Sequence, residues 1–347
     1  MSSFELTDAD KRRLEAAFGL GKAASPGGAE HRSPLTLTFR AVADEHALRN
    51  LGNVTELNLS GPNVSDISAL RQLRNLTQVS LIMTGLTDLA PLRVLDRLTL
   101  LNIDGNSGVS DISPLAGLRN LTHLSLSGAN VTDASALAEL QMLAELDLSN
   151  TPVTDLSPLR SLRNLVSLTL TSAKVADISP LAELTELEAL WLYGTNMTEV
   201  TALRGLKALR TLSLGRTNVS DISPLRDVKS LTDLDLSETQ VTDISALSGL
   251  EDLRTLSLNG TPIADISALR ELRNLTALHL LGTDISDLSP LRELPNLMTL
   301  GIDGTNVLDV SPVGDLPQLT TLYFDRSKVS DLAVFPNREI RVIVAPL

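Results

Sequence analysis

The stretch Val219-Ser-Asp221-Ile222-Ser-Pro224-Leu225-Arg-Asp-Val228-Lys-Ser-Leu231-Thr-Asp233-Leu234-Asp235-Leu236 decides the architecture, because nearly everything else in the chain is a copy of it. Leu234-Asp235-Leu236 alternates, which puts two leucines on one face of a short strand. Ile222, Leu225, Val228 and Leu231 come at wider spacing, which suits a short helix or 3₁₀ turn carrying the chain to the start of the next strand. Apolar-x-apolar pairs recur from Leu57/Leu59 to Leu322/Phe324, 22 residues apart except for 23 between Leu101 and Leu124. Stepping back 22 from Leu57 reaches Leu35-Thr-Leu37, so the count of copies is fourteen. No copy buries its leucines alone, whereas stacked copies bury a continuous core.

A fixed period of about 20–29 residues on L-x-x-L-x-L marks a leucine-rich repeat. The expected fold is an α/β solenoid, a leucine-rich repeat horseshoe or arc. Its parallel β-sheet takes the concave face, and short helical or 3₁₀ turns take the convex face. Residues 1–34 read as an N-terminal capping helix (to Gly19) and a Gly/Ser/Pro linker, 35–334 as the repeats, and 335–347 as a C-terminal capping strand. The single extra residue falls in Asp104-Gly-Asn-Ser-Gly108, where a bulged turn should leave the sheet continuous and protrude at the concave edge.

The chain has 347 residues, no cysteine and a formal net charge of −13. The charge disfavours nucleic acid and anionic membranes as partners. The missing cysteine fits a reducing compartment. Residues 1–20 carry charges and no long apolar run, so neither a signal peptide nor a membrane span is expected. Cytoplasmic location follows, or delivery into a host cell by a route that needs no signal peptide.

Two recurrent columns invite functional readings. An acidic residue stands at 44, 66, 88, 111 and onward to 331, always Asp except Glu199. Each precedes Ile-Ser-Pro/Ala-Leu or a close variant, so the expected role is capping of the next turn, with Pro at its first positions. Thr recurs at 84, 151, 195, 217, 239, 261, 283 and 305. Buried hydroxyls there should bond the backbone of neighbouring turns. Asn-Leu-Thr sequons, as at Asn120 and Asn274, follow from the repeat template.

The string Leu-x-x-Leu-x-Leu-x-x-Thr-x-Val-x-Asp-Ile-Ser-Pro-Leu at 22-residue spacing resembles the bacterial internalin-type leucine-rich repeat family, with Thr where that family usually has Asn. The resemblance implies a non-enzymatic binder that holds a protein partner on the concave sheet. No phosphate-binding Gly loop, His-Glu-x-x-His or Gly-x-Ser-x-Gly is present. No cofactor or metal is expected. The carboxylate pairs Glu145/Asp147 and Asp233/Asp235 keep a glycosidase reading open.

The outward strand positions form three rows along the sheet. The rows hold the only Trp and both Tyr residues, and they carry carboxylates but no Lys or Arg. Trp191 and Tyr193 share a strand beside the small Ser213, Gly215 and Ser237, making a ridge next to a shallow groove. Exposed Trp and Tyr are the favoured hot spots of protein interfaces. The expected partner-binding site centres on Trp191 and Tyr193 and extends over Arg216 and Asp235 toward His279 and Leu281. Tyr323 lies farther along the same rows, and Glu145, Asp147 and Asp233 stand at the margins. The expected partner is a protein with a basic or mixed basic and apolar surface. Alternatives are a carbohydrate-binding module, or a regulatory or sensor subunit or host-delivered effector.

Overall fold

A computed structural model describes residues 54–62 and 64–325, together with the backbones of 36–38 and 341–343. The expected N-terminal helix and linker lie outside the described residues. The chain divides into two compact units, Met1–Thr169 and Leu170–Leu347, with the division inside the repeats.

The N-terminal unit carries strands β1 (Thr36–Thr38), β2 (Glu56–Ser60), β3 (Gln78–Ile82), β4 (Leu100–Asn102), β5 (His123–Ser125), β6 (Glu145–Asp147) and β7 (Ser167–Thr169). Each pairs in parallel with the next. The C-terminal unit carries β8 (Ala189–Trp191), β9 (Thr211–Ser213), β10 (Asp233–Asp235), β11 (Thr255–Ser257), β12 (Ala277–His279), β13 (Thr299–Gly301), β14 (Thr321–Tyr323) and β15 (Arg341–Ile343). These too pair in parallel and in order. The register follows the sequence period: Leu234 faces Leu212 on one side and Leu256 on the other.

The return segments are 3₁₀ turns. In Ser223–Asp227 the bonds run Leu225 N–H to Ile222 O and Val228 N–H to Leu225 O, both 2.9 Å. Spacing of i to i+3 is the 3₁₀ pattern, used in short pieces such as this. Pro224 sits in the first turn, where it gives up no needed donor. Val219, Ile222, Leu225, Val228, Leu231, Leu234 and Leu236 are all buried, so each repeat contributes seven apolar side chains to the core. Burying each is worth about 1.5–3 kcal/mol as an upper bound.

The acidic column does structural work, one position earlier than a conventional N-cap. Asp221 Oδ1 accepts the Ser223 N–H at 2.8 Å, and Ser223 Oγ donates to Asp221 Oδ2 at 3.1 Å. Ile222 occupies the cap position itself and has no side-chain bond to give. The same i to i+2 bond forms at Asp66, Asp88, Asp111, Asp133, Asp155, Asp177, Asp243, Asp265, Asp287 and Asp309. The backbone N–H of Ser223 holds the Asp221 carboxyl below its ordinary range. Glu199, one carbon longer, makes no such bond to Thr201 among the described residues.

The threonine column departs from expectation. Thr217 Oγ1 donates to Leu214 O at 2.6 Å, and Thr151, Thr195, Thr239, Thr261, Thr283 and Thr305 repeat the pattern three residues back. At this position the hydroxyl meets the carbonyl three residues back; Thr84 also donates to Asn106 Oδ1, one repeat on, at 2.9 Å. Asn106 ties the two repeats together. It is 1% exposed, donates to Leu81 O and Ile103 O, and accepts from the N–H groups of Thr84 and Leu86. The extra residue of this repeat follows it, in exposed Ser107–Gly108, outside the strands. Pairing of β4 with β5 runs through unbroken.

Candidate functional site

In the C-terminal unit Trp191 ends β8, and Tyr193 follows two residues later on the same face; both are half-buried. The next strand, β9, is followed by Gly215. A Cβ on Gly215 would stand 2.8 Å from Tyr193 Cδ2 and 2.7 Å from Asp235 Oδ2. The missing side chain is therefore what lets the Tyr193 ring lie over the neighbouring repeat. Leu281 repeats the arrangement: a Cβ on Gly301 would meet Leu281 Cδ1 at 2.5 Å.

Arg216 completes the aromatic ridge. Its guanidinium carbon lies 5.7 Å from the Tyr193 ring centroid, within cation–π range. Its Nε donates to Glu238 Oε2 at 2.9 Å, which raises the Arg216 pKa. Arg216 and Glu238 both have positive φ, 53° and 54°, at the turn position that Gly61, Gly105, Gly128, Gly194, Gly260, Gly282 and Gly304 fill in other repeats. A non-Gly residue is strained there. Met83, Asn150 and Ser172 hold the same position with positive φ in three further repeats, so the turn accepts non-Gly residues along the face; at Arg216 and Glu238 it carries a stacked cation and its counter-ion beside Tyr193. Reading the sequence singled out Arg216 but missed Glu238. The available signal was an acid standing one repeat from the basic Arg216, in a column where Met83, Asn150 and Ser172 also replace glycine.

Asp233 and Asp235 share β10. Asp235 accepts from Ser213 Oγ at 2.9 Å and the Ser237 N–H at 2.9 Å, and Asp233 accepts from Thr232 Oγ1 at 2.8 Å. Among the described residues no Lys or Arg pairs with either. Positive charge does flank the face. Arg210 and Arg254 precede β9 and β11, and Arg216 follows β9. Arg210 lies 3.9 Å from Glu188. His279 on β12 is half-buried, and burial holds its imidazole below the usual pKa. Tyr323 lies on β14 in the same row.

Glu145 and Asp147 belong to the N-terminal unit. They line an open depression of about 310 Å³ with Leu100, Asn102, His123, Ser125, Ser167 and Thr169. His123 Nε2 lies 3.4 Å from Glu145 Oε1, and Asp147 Oδ1 accepts the Ser149 N–H at 2.7 Å. Neighbouring Asp104 accepts from Ser125 Oγ and the Ser127 N–H.

A parallel sheet with short 3₁₀ returns and an open face bearing clustered side chains defines a leucine-rich repeat protein. The family model for leucine-rich repeats in two copies matches residues 141–183 and 229–271. An internalin, InlF of Listeria monocytogenes, is 31% identical, with a TM-score of 0.81 over 88% of this chain and 90% of that one. The chain belongs to the internalin-type leucine-rich repeat family. The leucine-rich repeat protein LIC12759 of Leptospira interrogans shares the fold at 22% identity, TM-score 0.70, over 86% of this chain and 91% of that one. So does Drosophila Toll, in a complex with Spatzle, at 18% identity and TM-score 0.68, over 89% of this chain and 48% of that one. No curated protein matches the sequence.

Proposed function

We propose that this chain is a non-enzymatic interaction module that holds a protein or peptide partner on the sheet face of its C-terminal unit. The site centres on Trp191, Tyr193 and Arg216, with Asp233, Asp235, His279, Leu281 and Tyr323 on the same face. One observation carries the reading: Tyr193 is laid over Gly215 and stacked by Arg216, which Glu238 holds from the next repeat. Fixed aromatics lose little entropy on binding, which suits them as hot spots. That Toll, of the same fold, has been solved with Spatzle supports a protein as the class of partner.

The glycosidase alternative fares poorly. Its two carboxylates must face each other across a substrate. Here Asp233 and Asp235 sit two apart along one strand of an open face, as do Glu145 and Asp147. The carbohydrate alternative would use the same Trp191 and Tyr193 for stacking; the cation already set against the Tyr193 ring by Arg216 favours a protein or peptide on this face. The cysteine-free composition favours a reducing compartment, and no helix among the described residues is long and apolar enough to cross a membrane.

Trp191 is the only tryptophan in the chain, so its fluorescence reports on this site alone. A protein captured on the immobilised chain, added back at saturation, should shift Trp191 emission and protect it from acrylamide. Unchanged quenching at saturation would place the site elsewhere.

A further inference from the structure

The outward face from β8 to β12 is built symmetrically about β10. At one border stand Trp191 and Tyr193; at the other, four strands away, stand His279 and Leu281. At about 4.8 Å per strand the two borders lie about 19 Å apart. Between them the floor positions are short: Ser213 and Gly215, then Asp235 and Ser237, then Ser257 and Asn259. The midline strand alone carries carboxylates, Asp233 and Asp235. Their hydrogen bonds come from neutral hydroxyls and a backbone N–H. Two apolar walls, a short polar floor and a central pair of carboxylates without a basic partner make a trough.

Resting on the reading of this face as the binding site, we infer that the trough takes a peptide segment of the partner carrying one Lys or Arg midway between two apolar side chains. The charge is fixed by complementarity with Asp233 and Asp235. The apolar groups are fixed by the walls: an aromatic or aliphatic side chain packs against Trp191 and Tyr193, and a second against Leu281. The direction follows from the flanking cations. A segment running along the strands would carry its basic groups toward Arg210 and Arg254 at one end and Arg216 at the other. A segment crossing the strands meets a cation only at its Tyr193 end, where Glu238 already pairs Arg216, and brings its midpoint to the carboxylates. An extended chain spans about 3.3 Å per residue, so the two apolar anchors lie about six residues apart with the basic residue between them.

The test is selection of a phage-displayed random 12-residue peptide library on the full chain, on Asp233→Asn/Asp235→Asn and on Trp191→Ala/Tyr193→Ala. The Asn pair keeps side-chain shape and an acceptor for the Ser237 N–H. Peptides enriched on the parent should carry Lys or Arg flanked on both sides by apolar residues. Synthetic versions should bind the Asn variant at least tenfold more weakly by fluorescence polarisation. No enrichment, enrichment without a basic residue, or equal binding to the Asn variant overturns the inference. Peptides that lack a basic residue yet still need Trp191 and Tyr193 overturn it while leaving the binding face in place. Enriched peptides indifferent to the aromatic variant count against both.

Discussion

At the scale of single residues, what a side chain can reach decides what it does. Gly215 has room for Tyr193 only because it has no Cβ, and its own backbone is not of the left-handed kind that demands glycine. Gly215→Ala should therefore fold with a melting temperature close to the parent's while displacing Tyr193, shifting Trp191 emission and weakening partner binding. An unchanged emission spectrum would contradict the packing described. Arg216 and Glu238 give the opposite trade. Placing glycine at both, the residue that seven other repeats carry at this turn, should raise the melting temperature while reducing affinity, an exchange common where a site occupies a strained position. Asn106 is purely structural. Asn106→Ala leaves the N–H groups of Thr84 and Leu86 without partners and should cost roughly 3 kcal/mol or more in chemical denaturation. Glu199→Asp should recover the missing bond to Thr201 and raise the melting temperature slightly.

Elements in this chain are the strand and the 3₁₀ turn, and both were legible for the same reason. The Leu-x-Leu pair cannot slip by one residue without exposing two leucines, so strand register is set by the sequence period. The rows of outward residues followed directly, and with them Trp191, Tyr193, Asp235 and Leu281. The details that escaped are those where the template is silent about reach. The column threonines bond the carbonyl three residues back because their place after the strand brings it within reach, whereas threonines just before the strands, such as Thr232, bond the neighbouring repeat. The Asp bond lands on the first turn residue and not on a later one, because Ile222 intervenes as cap. Glu238 escaped because its meaning lies in its contact with Arg216, one repeat away in space. At this scale the acid behaviour can be worked out. The depressed Asp111, Asp133, Asp221, Asp243, Asp287 and Asp309 bind protons more weakly folded than unfolded. Their contribution is complete above the ordinary Asp pKa of about 3.9 and is lost as pH falls through the lower folded values. Half-buried His279 has the same sign, beginning near about 6.5. Melting temperature should therefore decline mildly below neutral pH and steeply below about pH 4; a flat profile from pH 7 to 3 would contradict the role given to the Asp column.

For the whole molecule, the repeat makes stability a sum over near-identical neighbours, whereas function is confined to where neighbours differ. The division at Thr169 and Leu170 has no signature in the period, which runs through it unchanged; what distinguishes the units is the cargo on their faces. The N-terminal unit offers His123, Glu145 and Asp147 around an open depression, and the C-terminal unit offers the aromatic ridge and the trough beyond it. The central claim is that this second face binds the partner. It is tested most directly by titrating a protein captured by the chain against the parent and against Trp191→Ala/Tyr193→Ala, with melting temperatures measured alongside. Both side chains are half-buried and outside the leucine core, so the melting temperature should hold. The account predicts affinity weakened by at least about 2 kcal/mol, roughly thirtyfold; equal affinity at equal stability would contradict it.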